Sequence, residues 1–484
     1  MSFSSVTFLF FFLPTLLLAL YPCSGKRRNM PLLAASLFFY SWGEGIYLLL
    51  LLISIGINYW AGKIIAAAFD RGVEPGQNAT PNRARVTLLS AICANLALLS
   101  FYKYANFLTE NLNWLLTQFT MPTVSLTPIH LPAGISFFTF QGIAYLIDAY
   151  RRQVETPPNL TDFALYMAFF PKLLSGPIIR YGEVAPDMAG RPITAADYAQ
   201  GIERFIFGLA KKILLANPLG QVADHIYALP QTELSCQAAW LAAACYMLQI
   251  YYDFSGYSDM AIGLGRIFGF RLPENFNYPY IAPNIQEFWR RWHITLSSWF
   301  RDYLYIPLGG NRCGQARILL NLLIVFSLCG LWHGASWTFV FWGLYHGFFM
   351  VGERLAARHL PPAPNWLAVP VTIVIVMIGW VFFRCDTLAQ ALGHVAAMFG
   401  LTDGSIVIHP FLSGKFRCEF TLAVLLAAPL FPWLRAKWAR YCGDSLFFAG
   451  VAVLLRPLGL AALLFAAIAS LAASGYNPFI YFRF

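Results

Sequence analysis

The chain has 484 residues, of which 58% are hydrophobic and 12% charged, against about 25% charged in a soluble domain. That balance excludes a globular enzyme with an ordinary salt-bridged coat. Lys and Arg outnumber Asp and Glu by 33 to 23, a net +10, but the excess is scattered through short segments between apolar runs. Cytoplasmic loops of membrane proteins carry such charge, so it does not signal nucleic acid.

A membrane-crossing helix needs about 20 apolar residues. In chain order, plausible crossings lie near 6–22, 31–61, 86–107, 131–149, 160–180, 200–217, 237–252, 317–332, 335–352, 366–384, 419–434 and 446–473. The first lacks a basic lead and an A-x-A site, so it is expected to stay as a membrane helix rather than be cleaved as a signal. Lys26, Arg27 and Arg28 put the following loop in the cytoplasm. The run 31–61 is about 46 Å as one helix, too long for one untilted crossing, with Gly43 and Gly45 as candidate breaks. The stretch from Tyr246 to Phe270, with Asp253, Asp259 and four glycines, is expected to be partly broken or re-entrant, as lipid allows only where protein or water covers the backbone. The expected fold class is an all-α polytopic membrane protein with about 11–13 membrane helices including re-entrant segments. Nine cysteines lie between Cys23 and Cys442 without a C-x-x-C, which reads as reduced packing residues rather than a disulfide framework or zinc site.

Two segments carry unusual chemistry. From Gln286 to Tyr305 the periodicity predicts one helix with Trp289, Trp292, Leu296, Trp299, Phe300 and Tyr303 on one face. Arg290, Ser297 and Arg301 then fall on its polar side, with His293 on the seam. A membrane-surface helix with snorkelling arginines accounts for this segment taken alone. The second segment holds His333 inside a run from Ile318 to Gly352 with no Asp, Glu, Lys or Arg. An intramembrane histidine is a functional candidate by default, and its neutral imidazole can accept a hydroxyl proton. The competing reading is a packing histidine satisfied by a carbonyl. His346 is read as structural.

The block Phe288-Trp-Arg-Arg-Trp-His293 with Trp299-Phe-Arg-Asp-Tyr-Leu-Tyr-Ile-Pro-Leu-Gly-Gly-Asn311, the upstream Tyr252-Asp-Phe-Ser-Gly-Tyr-Ser-Asp259, and Leu331-Trp-His333 resemble the membrane-bound O-acyltransferase family (MBOAT). The ending Asn477-Pro-Phe-Ile-Tyr-Phe-Arg-Phe484 is most similar to its bacterial polysaccharide O-acetyltransferase branch, that of alginate acetylation. The resemblance implies a helical ring with a central tunnel, formed by a single membrane domain over 1–484. Its core motifs would span about 130–350, its C-terminal helices 366–473 and its aromatic tail 476–484.

The same resemblance implies that His333 is the catalytic histidine and His293 the second polar position of the site. Acetyl transfer from a thioester to a hydroxyl needs a base, expected to be His333, and donors for the developing oxyanion, expected from His293, Trp332 or Trp292. Arg290, Arg291, Arg301 and Arg312 are candidate contacts for donor phosphates, or plain topology signals. Asp253 and Ser297 are candidate tunnel residues. Tyr481, in an F-x-Y-x-x-F tail, is a candidate acyl relay, against an interfacial aromatic anchor. Neither a metal nor a bound cofactor is expected; acetyl-CoA or another acyl thioester enters as donor substrate. The expected partners are membrane lipid, a periplasmic acetyltransferase and, indirectly, a polysaccharide acceptor. The expected location is the bacterial inner (cytoplasmic) membrane. Two alternatives are D-alanyl transfer to teichoic acid by a related subunit and a secondary transporter, though paired interrupted helices in two similar halves are missing for the latter.

Overall fold

The computed structural model describes residues 1–72, 81–190, 192–442, 446–478 and 480, and among them every regular element is helical. Among the described residues, five helical stretches are long and apolar enough to cross a membrane: Gly25–Asp70, Asn82–Gln118, Gln315–His333, Asn365–Arg384 and Leu455–Ala473. The bent pair Gly414–Leu426 and Leu430–Trp438 makes a sixth if it counts as one span. This is a multi-pass membrane protein.

Several expected crossings take another form. The run 31–61 is interrupted at Gly45, whose φ of 54° is a left-handed conformation that glycine adopts freely; helix Asn29–Glu44 ends there and Leu48–Gly72 follows one tight turn later. Residues 160–180 do not form a single helix. Leu160–Ala168 stops at Phe169, and Phe170–Leu173 is one turn, because Pro171 has no N–H to carry the ladder onward. The break expected between Tyr246 and Phe270 is absent, since Cys236–Ile267 is one helix of 32 residues. Its glycines serve close packing instead. A Cβ on Gly256 would meet the Gly208 carbonyl at 2.7 Å, and one on Gly201 would meet the Gly263 carbonyl at 2.7 Å, the small-residue contacts by which membrane helices approach.

The chain forms two compact units, Met1–Gly201 with Ala261–Pro273, and Ile202–Met260 with Glu274–Phe484. In the first, Asn58 and Asn95 exchange amide hydrogen bonds of 3.1 and 3.0 Å between two long apolar helices, and Phe3, Phe8, Phe39 and Phe170 form an aromatic core. Residues 261–273 complete this unit. Phe270 packs on Phe169 at 4.6 Å, Phe268 on Phe170 at 5.7 Å, and the Arg271 N–H donates to Asp187 at 3.0 Å.

In the second unit, helices Gln315–His333 and Trp337–Ala356 form a hairpin. Ser336 caps the second helix by accepting the Thr338 N–H. Gly330 and Gly343 face each other at the crossing, where a Cβ on Gly343 would lie 3.1 Å from the Gly330 Cα and overlap the Phe326 carbonyl. The hairpin fixes His333, so its packing sets the site. Gly343→Val is expected to lower the melting temperature in detergent by several degrees, as overpacking typically costs about 1–3 kcal/mol. Gly352→Ala, in the same helix with nothing within 4 Å, is expected to leave it unchanged or raise it slightly, since Ala is the better helix former; equal melting of the two variants would contradict this packing.

Candidate active site

The aromatic segment is not the continuous helix its periodicity predicts. Asn284 caps a short helix, Ile285–Arg291, by accepting the Glu287 N–H at 2.7 Å. The chain then leaves helical geometry at Trp292 and turns left-handed at His293, φ 44°, before Ile294–Phe300 begins. A non-glycine residue there is strained, and the neighbouring strand of chain holds it. The Asn275 carbonyl accepts the Ile294 N–H at 3.0 Å, and its side-chain Oδ1 accepts the Thr295 N–H at 3.2 Å and the Thr295 hydroxyl at 3.0 Å. Asn275 thus satisfies amides that the start of a helix leaves without internal partners.

The same Oδ1 lies 3.1 Å from His293 Nδ1. Because the Thr295 N–H donates to that atom, it is the amide oxygen, which only accepts. Nδ1 therefore carries the hydrogen, and Nε2 of the neutral ring is an acceptor. That atom is buried and makes no hydrogen bond among the described residues. Burial without a counter-charge pushes the His293 pKa down to about 3, so the ring stays neutral. The expectation that His293 donates to an oxyanion is corrected on this ground: its open nitrogen holds a lone pair.

His333 ends the Gln315–His333 helix and is 6% exposed. Its ring lies 4.9 Å from Trp332, 5.1 Å from Trp342 and 5.2 Å from Phe383. Trp332 also lies 6.3 Å from His293, which meets Phe254 edge-on at 4.7 Å. One indole therefore touches both histidines. His346 shares the Trp342 wall at 5.1 Å, so it is nearer to this cage than its angular offset from His333 suggests.

The remaining candidates divide. Trp292 is buried against Trp380 at 4.9 Å and Phe276 at 5.0 Å. Arg290 and Arg291 pair with Glu287 at 3.5 and 2.8 Å, and Arg301 with Asp302 at 2.6 Å; Arg290 and Arg301 are exposed and Arg291 is half-buried. Ser297 is half-buried. Asp253 is fully buried in an ion pair with Lys212 at 2.6 Å and accepts the Ile480 N–H at 2.9 Å. Tyr481 lies outside the described residues. Sequence reading missed Asn275, Phe254, Trp342, Phe383 and Lys212. Only the polar stretch Glu274-Asn-Phe-Asn277 offered any signal for the first.

The sequence model of the MBOAT, membrane-bound O-acyltransferase family, matches residues 86–388. The chain belongs to this family. It is a membrane-bound O-acyltransferase. A probable alginate O-acetylase from Pseudomonas putida is 41% identical over 505 residues, covering 100% of both chains. One from Pseudomonas aeruginosa is 45% identical over 401 residues, 82% of this chain and 75% of that protein. A peptidoglycan O-acetyltransferase from Helicobacter pylori is 38% identical over 441 residues, 84% of this chain and 81% of its own.

Burial sets the charge state of His293 in this acyltransferase, and the Asn275 amide sets its tautomer. With His293 at about 3, its protonation leaves no acid limb in the rate between pH 5 and 8. Asn275→Asp keeps the accepting oxygen and adds a negative charge that favours the imidazolium, raising the folded pKa by about one to three units. Activity requiring the neutral ring is then lost as pH falls through that higher value. A pH–rate profile whose acid side does not move in Asn275→Asp would contradict the assignment.

Proposed function

We propose that this protein transfers an acetyl group from a cytoplasmic thioester, acetyl-CoA, to a hydroxyl on the far side of the inner membrane, for O-acetylation of an extracytoplasmic polysaccharide. The observation that carries the reading is the aromatic cage in which Trp332 touches both His333 and His293. The names of the relatives, alginate O-acetylase and peptidoglycan O-acetyltransferase, support acetyl as the group and a cell-envelope polymer as its destination.

In this mechanism His333 takes the hydroxyl proton as that oxygen attacks the thioester carbonyl. His333 ends its helix, where the negative end of the backbone dipole favours the imidazolium that proton capture creates. The Trp332 indole N–H faces the developing oxyanion, and His293 Nε2 accepts a hydrogen bond that orients the attacking group. Collapse of the tetrahedral intermediate expels the thiolate, which takes the proton from His333. Arg290, exposed and only loosely paired with Glu287 at 3.5 Å, is the proposed contact for the donor's phosphates.

Tyr481 is the proposed first acceptor: its phenol takes the acetyl group, and a periplasmic acetyltransferase then moves it to the polymer. A tyrosyl ester is a more reactive donor than an alkyl ester, which gives the second step its driving force.

His333→Ala is expected to lower polymer ester content by about 10²- to 10⁴-fold at normal protein abundance; unchanged ester content rejects the base assignment. Tyr481→Phe keeps the ring and removes the hydroxyl, and is expected to abolish polymer acetylation. Unimpaired acetylation in that variant eliminates the relay.

A further inference from the structure

The end of the described chain is held by charged side chains. Lys212 and Asp253 form an ion pair of 2.6 Å with side chains 4% and 2% exposed, although a buried pair is costly unless further hydrogen bonds satisfy both partners. Those further bonds come from the tail. Lys212 Nζ donates to the Pro478 carbonyl, and Asp253 Oδ2 accepts the Ile480 N–H at 2.9 Å. Asn217 adds a bond of 3.1 Å to the Tyr476 carbonyl and one of 3.3 Å to the Asn477 side chain. The Tyr476 hydroxyl donates to Asp224 at 2.6 Å, and Arg384 pairs with that carboxylate at 2.6 Å.

Three of these contacts read backbone groups: the carbonyls of 476 and 478 and the N–H of 480. The recognition fixes the main chain at Tyr476, Pro478 and Ile480, the last being the residue before Tyr481. The socket and the histidine site share the Cys236–Ile267 helix, since Asp253 immediately precedes Phe254, whose ring lies 4.7 Å from His293. An open cleft of about 470 Å³, lined by Asn217, His225, Lys415, Glu419, Ser474 and Tyr476 among others, runs along the start of this segment.

We propose that Lys212 and Asp253 form a peptide socket that seats the chain's tail by the backbone of Pro478 and Ile480, which makes them positioning residues for acyl transfer rather than catalytic ones. This rests on the reading that Tyr481 is the acyl acceptor. The polarity of the pair is the essential feature: a cation must meet the carbonyl at 478 and an anion the N–H at 480. A purely structural ion pair has no such requirement.

The test uses the full-length chain in open membrane fragments, with two readouts: the rate at which carboxypeptidase Y, which also releases proline, removes residue 480 relative to the same tail as a free peptide, followed by mass spectrometry, and polymer ester content in cells. Lys212→Asp combined with Asp253→Lys keeps an opposite-charge pair but reverses its polarity toward the tail. In this variant Ile480 is expected to be removed at least tenfold faster, with polymer ester falling by a similar factor. Ile480→Pro removes the N–H that Asp253 accepts, at a position beyond the last long helix, which ends at Ala473, so it tests the socket even if the charge reversal does not fold. It is expected to free the tail, while Ile480→Val is expected to behave as wild type. Tail removal and ester content both at wild-type levels in Ile480→Pro overturn the socket. Tyr481→Phe separates the two ideas. If it leaves ester intact while Ile480→Pro frees the tail, the socket stands and the relay fails. If it abolishes ester while Ile480→Pro changes nothing, the relay stands and the socket fails.

Discussion

A buried neutral imidazole presents a lone pair at a defined nitrogen only if something fixes where its hydrogen sits. In this protein that constraint is the Asn275 amide oxygen, which accepts from Thr295 twice and from His293 Nδ1 once. The same contacts hold the left-handed turn at His293 and start the helix that follows. Removing Asn275 would therefore affect backbone strain, tautomer and ring position together, so its effect on rate cannot be divided among them by one substitution.

The aromatic surroundings complete that constraint. Trp332, Trp342 and Phe383 around His333, and Phe254 beside His293, exclude water while offering few competing acceptors. In such a medium a hydrogen bond is electrostatically stronger and an unmet polar group costs more. A site of this kind suits a reaction that creates one negative oxygen and one imidazolium at the same moment, because each is the other's stabilising charge.

The membrane character and the family were legible in the sequence, because apolar run length and a dense local motif survive without tertiary information. The turn at Trp292–His293 was not. Periodicity describes which face a residue would occupy if the helix continued, and it contains nothing about Asn275, a partner distant in sequence that competes for the amides. The glycines between Tyr246 and Phe270 misled for a related reason: read alone they signal a break, whereas Gly256 and Gly263 lie against the carbonyls or glycines of another helix. Asp253 was legible as a buried acid in an apolar stretch, but its partners, Lys212 and the backbone of the chain's own end, come from segments that only folding brings together.

The division of the chain bears on its biosynthesis. The first unit takes residues Ala261–Pro273 as part of its own packing, with Phe268 and Phe270 filling places beside Phe170 and Phe169. Although domains generally fold from the N-terminus as they emerge, this unit cannot close while the ribosome is still upstream of residue 273. Until then the aromatic surface at 169–170 stays uncovered, so the nascent chain needs either lipid or an insertion factor to shield it through the synthesis of the intervening segment.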